Sequence, residues 1–380
     1  MSKLKVTTIS DPDNDNTALT IDSSGNVTAS QGFVPSTQLS HRNLIINGAM
    51  QVAQRGTSGT NTGDSQFPSV DRWLTRTYNG TGRVTLARQN IDSNGFRYSV
   101  RATPSTTDTS GTYGYTLGQY IEGNNTNHLN WGTSSAQTIT LSFWVKSSET
   151  GTFSVSFRNG AGDRSWVSSY SISTSDTFEY KTITVTGSTD GTWATDTNAS
   201  ILLEFCYGGQ TSKSTSSLDQ WVTGNYVAAT GQTDIMQSTS NYFEITGVQL
   251  EVGSVATPFE HRSYGEELAL CQRYFQKVEH EGNAIVLGAA SFYTSGTLMA
   301  AYPYTTTMRA TPTGASTSGT NYFVVYSNSG AQYKNSVSFE RMGKDRGQIL
   351  ITGLSGTQGH AGVVVISASG AAITLDAELS

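Results

Sequence analysis

Charged side chains are scarce in this chain of 380 residues. Asp, Glu, Lys and Arg together make up 14% of it, and the formal net charge is −6. A protein that binds nucleic acid normally presents a basic patch or stripe, and no such stripe is visible in the sequence. The composition therefore argues against a nucleic-acid partner.

Cysteine is nearly absent and histidine is scattered. Cys206 lies in a strand-like run and Cys271 in a helix-like one, so we expect two buried free thiols rather than a disulfide framework. The five histidines never cluster, and no CxxC pair is present. A zinc site needs such a cluster, so we predict no metal site and no cofactor.

Long apolar runs are also missing. The longest, such as VVVI at 363–366, are far too short to span a membrane. The first residues, 1–16, contain two lysines with no apolar segment behind them, which does not fit a secretory signal. We therefore expect synthesis in a cytosol and no membrane insertion.

What the chain does contain is typical of packed β-structure. It has 39 glycines, 10% aromatic and 36% hydrophobic residues, and its length suits two or three domains. Apolar residues alternate with polar ones in short runs through residues 76–260, as in Ile139, Leu141, Phe143 and Val145. Such alternation, broken by Gly, Ser and Asn turns, predicts an antiparallel β-sandwich.

The run FEITGVQLEV at 243–252 changes phase at Thr246–Gly247. Phe243 and Ile245 are odd-numbered, whereas Val248 and Leu250 are even-numbered. One extra residue at a glycine is the signature of a β-bulge, which returns the apolar side chains to the same face. We predict a single bulged strand that completes the sandwich.

A helical pattern follows at residues 261–281. Ser263 and Glu266 have the spacing of a capping box. Four apolar residues then recur at intervals of three, four and three, which predicts one apolar seam along the helix: Leu268, Cys271, Phe275 and Val278. This junction seam either packs on the neighbouring sandwich or meets copies of itself on an oligomer axis.

The pattern divides the chain into five parts. Residues 1–40 hold one hairpin without a core of its own, followed by a linker, and residues 41–75 form a lead-in segment. Residues 76–260 form the sandwich and 261–281 the junction helix. Residues 282–380 read as a smaller β domain of five to seven strands. The predicted fold is therefore all-β, with one short α-helix between two β domains.

Several motifs resemble tail-fibre and receptor-binding proteins of tailed bacteriophages. They are NLIINGAMQVAQRGT…VDRW at 43–73, ITGVQLEVGSVATPFEHRSYGEELALCQRYFQK at 245–277, MRATPT at 308–313 with ITLDAEL at 373–379, and TALTIDSSGNVTASQGF at 17–33. The segment 128–157 is similar to carbohydrate-binding jelly rolls. Together these stretches span most of the chain.

This resemblance implies a virion protein of the tail, assembled in the host cytoplasm, that attaches to host surface polysaccharide. It implies a homotrimer whose N-terminal 40 residues bind a tail adaptor or nozzle protein. Residues 282–380 would then be the distal tip, with Tyr-rich loops at 302–307 and 321–333 as a first contact and the sandwich as the other possibility. Two alternatives remain: a head or collar decoration without a receptor role, and a capsule-degrading enzyme.

Aromatic residues in polar, turn-rich stretches are the candidates for sugar binding, because sugars stack their apolar faces on exposed rings. We select Trp166, Tyr170, Trp193 and Trp221 of the sandwich. Trp144 is a separate case, since its phase in the strand points it away from the core.

Catalytic signatures are weak. The sequence has no nucleophile elbow and no phosphate-binding glycine loop. A glycosidase needs only two suitably spaced carboxylates, and the candidates are Asp163, Asp190, Glu204, Asp219 and Glu244. Because scattered carboxylates imply little about activity, we expect non-catalytic binding and no catalytic residue.

Overall fold

The computed structural model describes residues 6–10, 17–21, 23, 27–29, 41–110, 113–209 and 213–379. The chain forms two compact units, Met1–Arg42 and Asn43–Ser380. The first unit holds a three-stranded antiparallel sheet of β1 (Thr8–Ser10), β2 (Thr17–Ile21) and β3 (Val27–Ala29). The predicted hairpin is thus present as β2 and β3, in which Ile21 pairs with Val27, and β1 is an additional strand.

The second unit begins with fifteen strands. In chain order they are β4 (Ser58–Thr60), β5 (Ser65–Gln66), β6 (Leu74–Tyr78), β7 (Arg83–Ser93), β8 (Phe96–Thr106), β9 (Gly114–Glu122), β10 (Ile139–Ser147), β11 (Gly151–Asn159), β12 (Arg164–Ile172), β13 (Glu179–Val185), β14 (Ala199–Gly208), β15 (Ser214–Thr215), β16 (Trp221–Thr223), β17 (Ala228–Ala229) and β18 (Phe243–Val252). Short 3₁₀ turns occupy Gly123–Asn125, Asn127–Leu129 and Ile235–Gln237.

These strands build the predicted sandwich. A six-stranded sheet has the order β13-β10-β18-β8-β7-β4, and a seven-stranded sheet has the order β16-β12-β11-β14-β9-β6-β5. The alternating apolar residues fill the space between the sheets, where the largest include Trp73, Phe143, Phe157, Phe205 and Phe243. The period of two decides this arrangement, because each strand turns alternate side chains inward. Trp144 lies on the outer face as predicted, half-buried beside Tyr180.

The β-bulge in β18 is confirmed. Opposite β10, Thr246 pairs with Trp144 but Gln249 pairs with Ser142, so β18 carries an extra residue there. Gly247 has a φ of +58°, and a Cβ at this position would lie 2.5 Å from the ring of Phe96. Only glycine fits both the left-handed backbone and the close ring.

The junction helix α1 spans Tyr264–Gln272. Its start agrees with the sequence pattern, since the Ser263 hydroxyl accepts a hydrogen bond from the Glu266 amide at 3.3 Å. Its predicted end is wrong, because the chain leaves the helix and enters strand β19 (Phe275–Glu279). That strand pairs with residues 372–376, and those sheet hydrogen bonds replace further helical turns.

The junction seam is therefore not one helical stripe. Leu268 and Cys271 lie on α1, in a small core with residues of the lead-in segment and of the chain's end. Phe275 and Val278 lie on β19, where Phe275 is buried under the guanidinium of Arg55 and Val278 packs on the C-terminal core. The four residues serve two different cores, so a coiled-coil seam is excluded.

The C-terminal part has more strands than predicted. After β19 come β20 (Ile285–Thr294), β21 (Thr297–Pro303), β22 (Thr313–Ser316), β23 (Phe323–Ser327), β24 (Gly330–Lys334), β25 (Ser338–Glu340), β26 (Arg346–Thr352), β27 (Ala361–Ile366) and β28 (Ala372–Asp376). They form sheets of order β19-β28-β22 and β24-β23-β27-β20-β21-β26-β25. Short polar strands such as β22 and β24 carry little apolar alternation, so sequence patterns miss them.

The outer face of the seven-stranded sheet is covered rather than open. Tyr120, Leu202 and Leu74 on that face pack against Cys271, Tyr274 and the chain's end at Leu379. Arg72, next to β6, forms an ion pair with Glu378, which ties the C-terminus to the sandwich. A ligand therefore cannot reach the covered part of this face. In the described part of the chain, no helix is long and apolar enough to cross a membrane.

Candidate functional site

The four predicted aromatic residues do not share one environment. Trp166 and Tyr170 lie on the inner face of β12 and are only 5% and 8% exposed. The Tyr170 ring packs on Phe143 at 5.2 Å, and the Trp166 indole N–H donates to the Ser168 hydroxyl. Buried in this way, neither residue offers a ring face to a sugar, which corrects the expectation of a surface platform for these two.

Strand β12 already contained the signal for this burial. Trp166, Ser168, Tyr170 and Ile172 alternate with residues of the opposite face, and all four are buried. The polar neighbours suggested a surface loop, but the period of two places the aromatic residues in the core.

Trp193 and Trp221 remain at the surface as half-buried rings, and they lie next to each other. Their ring centroids are 5.4 Å apart at 83°. A third indole, Trp131, lies 4.7 Å from Trp193 and 5.3 Å from Trp221. The ring of Trp166 packs against that of Trp221, with centroids 5.7 Å apart. We call these four residues the tryptophan cluster.

Sequence reasoning missed Trp131, although the signal was of the same kind as for the others. Trp131 stands between Asn130 and Gly132 in a turn-rich stretch, and it follows the two short 3₁₀ turns. Asn130 has a φ of +53°, a left-handed conformation that asparagine adopts more readily than most residues, and it brings the indole toward Trp193.

Two loop segments, which carry Trp131 and Trp193, and the strands β12 and β16 position the cluster at one end of the sandwich. The indole N–H of Trp131 donates to the Gln137 carbonyl at 2.7 Å, that of Trp193 to the Asp190 carbonyl at 3.0 Å, and that of Trp221 to the Thr186 carbonyl at 2.7 Å. Since these donors are satisfied within the chain, a ligand would meet ring faces and edges rather than N–H groups.

An ion pair holds the loop that carries Trp193. The Arg164 guanidinium donates two hydrogen bonds to the Asp190 carboxylate, at 2.7 and 2.6 Å. The hydrogen bonds from Arg164 hold the pKa of Asp190 below its usual value. The bidentate contact therefore fixes the backbone whose carbonyl accepts the Trp193 indole N–H.

Beside the cluster lies a small cleft of about 170 Å³. The half-buried ring of Trp193 forms its apolar wall together with the small exposed part of Trp131, which is 8% exposed, and Asn127, Asn130 and Thr133 contribute amide and hydroxyl groups. Among the residues that the structure describes, none that lines this cleft is charged. Apolar rings beside neutral hydrogen-bonding groups suit a neutral polyhydroxylated ligand.

The five candidate carboxylates are separately engaged. Glu204 is buried with Arg158, and Glu244 is buried with Arg101 and Lys146. Asp190 pairs with Arg164, while Asp163 and Asp219 accept hydrogen bonds from Asn159 and the Ser168 hydroxyl. Although burial alone would raise the pKa of Glu204, the adjacent Arg158 and Arg76 lower it, so this residue is held ionised.

Comparison with known proteins finds similarity in structure only. No protein-family model matches the sequence, and no curated protein matches it either. The chain is similar to the enzymatically active domain of tailspike protein 4 of bacteriophage CBA120, with a TM-score of 0.29 and 13% identity over 56% of this chain and 21% of that one.

Two further solved structures are similar over about the same share of the chain. One is described as CBM4, with a TM-score of 0.30 and 12% identity over 55% of this chain and 98% of that one. The other is the family 11 carbohydrate-binding module of a cellulosomal cellulase of Clostridium thermocellum, with a TM-score of 0.26 and 13% identity over 52% and 100%. At these scores the similarity is limited to β-rich architecture.

Proposed function

We propose that this protein is a tail fibre of a tailed bacteriophage that attaches to host surface glycans by non-catalytic binding. The observation that carries the glycan-binding part is the cleft walled by Trp131 and Trp193 and lined by neutral amide and hydroxyl groups. The phage assignment is supported by the resemblance of the segments 43–73 and 245–277 to tail fibres.

Binding would follow from the chemistry of this wall. A pyranose ring would stack its C–H face on the half-buried indole of Trp193, which releases water from two apolar surfaces. Hydroxyl groups of the sugar would pair with the side chains of Asn127 and Asn130. None of the described residues that line the cleft is a carboxylic acid of the kind that a glycosidase uses, which favours binding over hydrolysis.

Replacing Trp193 with alanine is expected to weaken glycan binding about tenfold, because a stacked ring contributes on the order of 1–2 kcal/mol. The full-length chain would be screened on an array of bacterial polysaccharides, and the best neutral ligand measured by calorimetry. Trp144→Ala is the matched control, since it removes a half-buried indole that packs beside Tyr180, away from the cleft. Equal losses in the two variants would contradict the assignment of the cleft.

The same measurement separates the cleft from the C-terminal tip. Tyr326 and Tyr333 are exposed on the β23–β24 hairpin, in one of the predicted Tyr-rich loops. A Tyr326→Ala, Tyr333→Ala double variant that loses binding while Trp193→Ala keeps it would place the receptor site at the tip. New reducing ends after incubation with the polysaccharide would instead favour a capsule-degrading enzyme.

We also propose that the fibre is a homotrimer, anchored through residues 1–40 to a tail adaptor or nozzle protein. The proposal rests on the fibre resemblance and on the small three-stranded sheet of the first unit, which has few residues with which to build a core. Light scattering coupled to chromatography is expected to give three times the chain mass of 40.6 kDa. A monomer at micromolar concentration would contradict it.

A further inference from the structure

A larger cavity, of about 490 Å³, lies apart from the tryptophan cluster and shares no lining residue with it. The hairpin of β7 and β8 forms one side, and the segment that leads into α1 forms the other. Arg88, Arg97 and Tyr98 line it from the hairpin, and His261 and Tyr264 line it from the helix side.

The cavity is cationic although the chain is acidic overall. It contains two arginines, and none of the described residues that line it is a carboxylate. Arg88 donates to the Gln51 carbonyl at 2.8 Å and lies over the Tyr98 ring at 4.2 Å. Arg97 is exposed and lies over that same ring, at 5.4 Å. Within the described ranges, neither guanidinium has a carboxylate partner, so both can receive an anion.

Aromatic surface stands beside these charges. Tyr264, the first residue of α1, is 58% exposed, so its ring is accessible to a ligand. On the same wall the His261 ring lies against Phe96, with centroids 5.6 Å apart at 30°. A ligand ring with an apolar face can therefore stack on Tyr264, while an anionic group attached to that ring reaches the two arginines.

The cavity continues past Tyr264 into a second one of about 460 Å³, which shares Gln51, Arg88 and Tyr264 with the first. Lys277, Glu279 and Glu281 line the far part, and Lys277 pairs with Glu279 at 2.5 Å. We call the two together the Tyr264 groove. Its two connected volumes leave room for more than one ring, and its charge changes from cationic in the first cavity to mixed in the second.

We propose that the Tyr264 groove binds a carboxylated saccharide, with the carboxylate between Arg88 and Arg97 and a neighbouring sugar ring stacked on Tyr264. Planar guanidinium groups match a carboxylate in geometry and charge. A nucleic acid or a polyanionic peptide fits less well, because each of its regularly spaced charges would have to pass Glu279 and Glu281. A saccharide with both kinds of ring would place its acidic ring at the cationic end of the groove and its neutral rings at the mixed end.

The test uses the full-length chain and carboxylated trisaccharides that carry galacturonate, glucuronate or N-acetylneuraminate, each beside its methyl ester. At low salt we expect at least one acid to bind at least tenfold more tightly than its ester, because esterification removes the negative charge and leaves the sugar rings unchanged. We expect the difference to shrink in 0.5 M salt through screening. Equal affinity of acid and ester in all three pairs, or no binding at millimolar concentration, would overturn the proposal.

Variants assign the site. Arg97→Gln should lower the affinity for the acid about tenfold and leave the ester unchanged, and Tyr264→Ala should weaken both. Arg346→Gln is the matched control: Arg346 is an exposed strand arginine in the C-terminal sheet, and its replacement changes the net charge equally. If Arg346→Gln lowered the affinity for the acid as much as Arg97→Gln does, the effect would come from the overall charge of the protein. That result would overturn the proposal. Competition by a single-stranded oligonucleotide or a poly-glutamate peptide at equal concentration would also overturn it.

The outcome is separable from that of the proposed tryptophan site. Trp193→Ala should leave binding of the acid unchanged, and Arg97→Gln should leave binding of a neutral glycan to the cleft unchanged. Failure of one site therefore leaves the result at the other site interpretable.

Discussion

Replacing Glu204 with leucine is expected to lower the free energy of unfolding by about 3–5 kcal/mol. Glu204 is buried on the outer side of β14, where it forms an ion pair with Arg158 and accepts a hydrogen bond from the Tyr78 hydroxyl at 3.0 Å. Arg158 is itself only 2% exposed. The variant would leave this guanidinium buried with no carboxylate beside it, and that cost exceeds the gain from an apolar side chain.

Urea denaturation followed by tryptophan fluorescence measures the effect. Glu279→Gln is the control, because Glu279 pairs with Lys277 at a half-exposed position and should cost less than about 1 kcal/mol. The double variant Arg158→Met, Glu204→Leu should recover much of the loss, because it removes both charges. If Glu204→Leu cost no more than Glu279→Gln, the pair would not be buried in solution.

The pH dependence of the stability provides a second test of the ion pair between Glu204 and Arg158. Arg158 and Arg76 hold the pKa of Glu204 below its usual value of 4.5 in the folded protein. A depressed carboxylate pKa contributes stability above the unfolded pKa, and that contribution is lost as the pH falls through the folded pKa. Below about pH 4.5 the wild-type protein should therefore lose stability more steeply than Glu204→Leu.

Replacing Glu378 with alanine is expected to cost a similar amount, about 3–5 kcal/mol, and to weaken the contact between the chain's end and the sandwich. Its carboxylate forms ion pairs with Arg72 and with Arg55. Arg72 is 1% exposed and lies 3.5 Å from the Tyr274 ring centroid. Without Glu378, the buried guanidinium keeps only the ring and the Tyr120 carbonyl as partners.

Asp376→Asn provides the control for this prediction two residues away. Asp376 also pairs with Arg55, at 2.9 Å, but its side chain is 45% exposed, so its loss should cost less than about 1 kcal/mol. Limited proteolysis of the linker at residues 253–263 would report on the junction, and Glu378→Ala should be cleaved faster than Asp376→Asn. Equal cleavage rates would mean that the Glu378 ion pairs do not hold the chain's end on the sandwich.

The sandwich was predictable from sequence because its signals are local. The alternation of Ile139, Leu141, Phe143 and Val145 decides which face of β10 is buried, whatever the partner strand is. The bulge at Gly247 was visible as a change of phase within ten residues, and the start of α1 was visible in the spacing of Ser263 and Glu266. Each of these features depends on residues close together in the chain.

The sites and the end of the helix depended on distant residues. Nothing near Phe275 shows that residues 372–376 will pair with it and replace the helix by a strand. Likewise, Trp131, Trp193 and Trp221 come from three separate segments, and only the folded loops bring their rings within 5.4 Å of one another. The sequence by itself determined the β class, the bulge and the helix cap, because local periodicity and capping chemistry act over a few residues. The tertiary structure alone decided which aromatic rings stay at the surface and which charges are buried, because burial depends on what the rest of the chain places over each face.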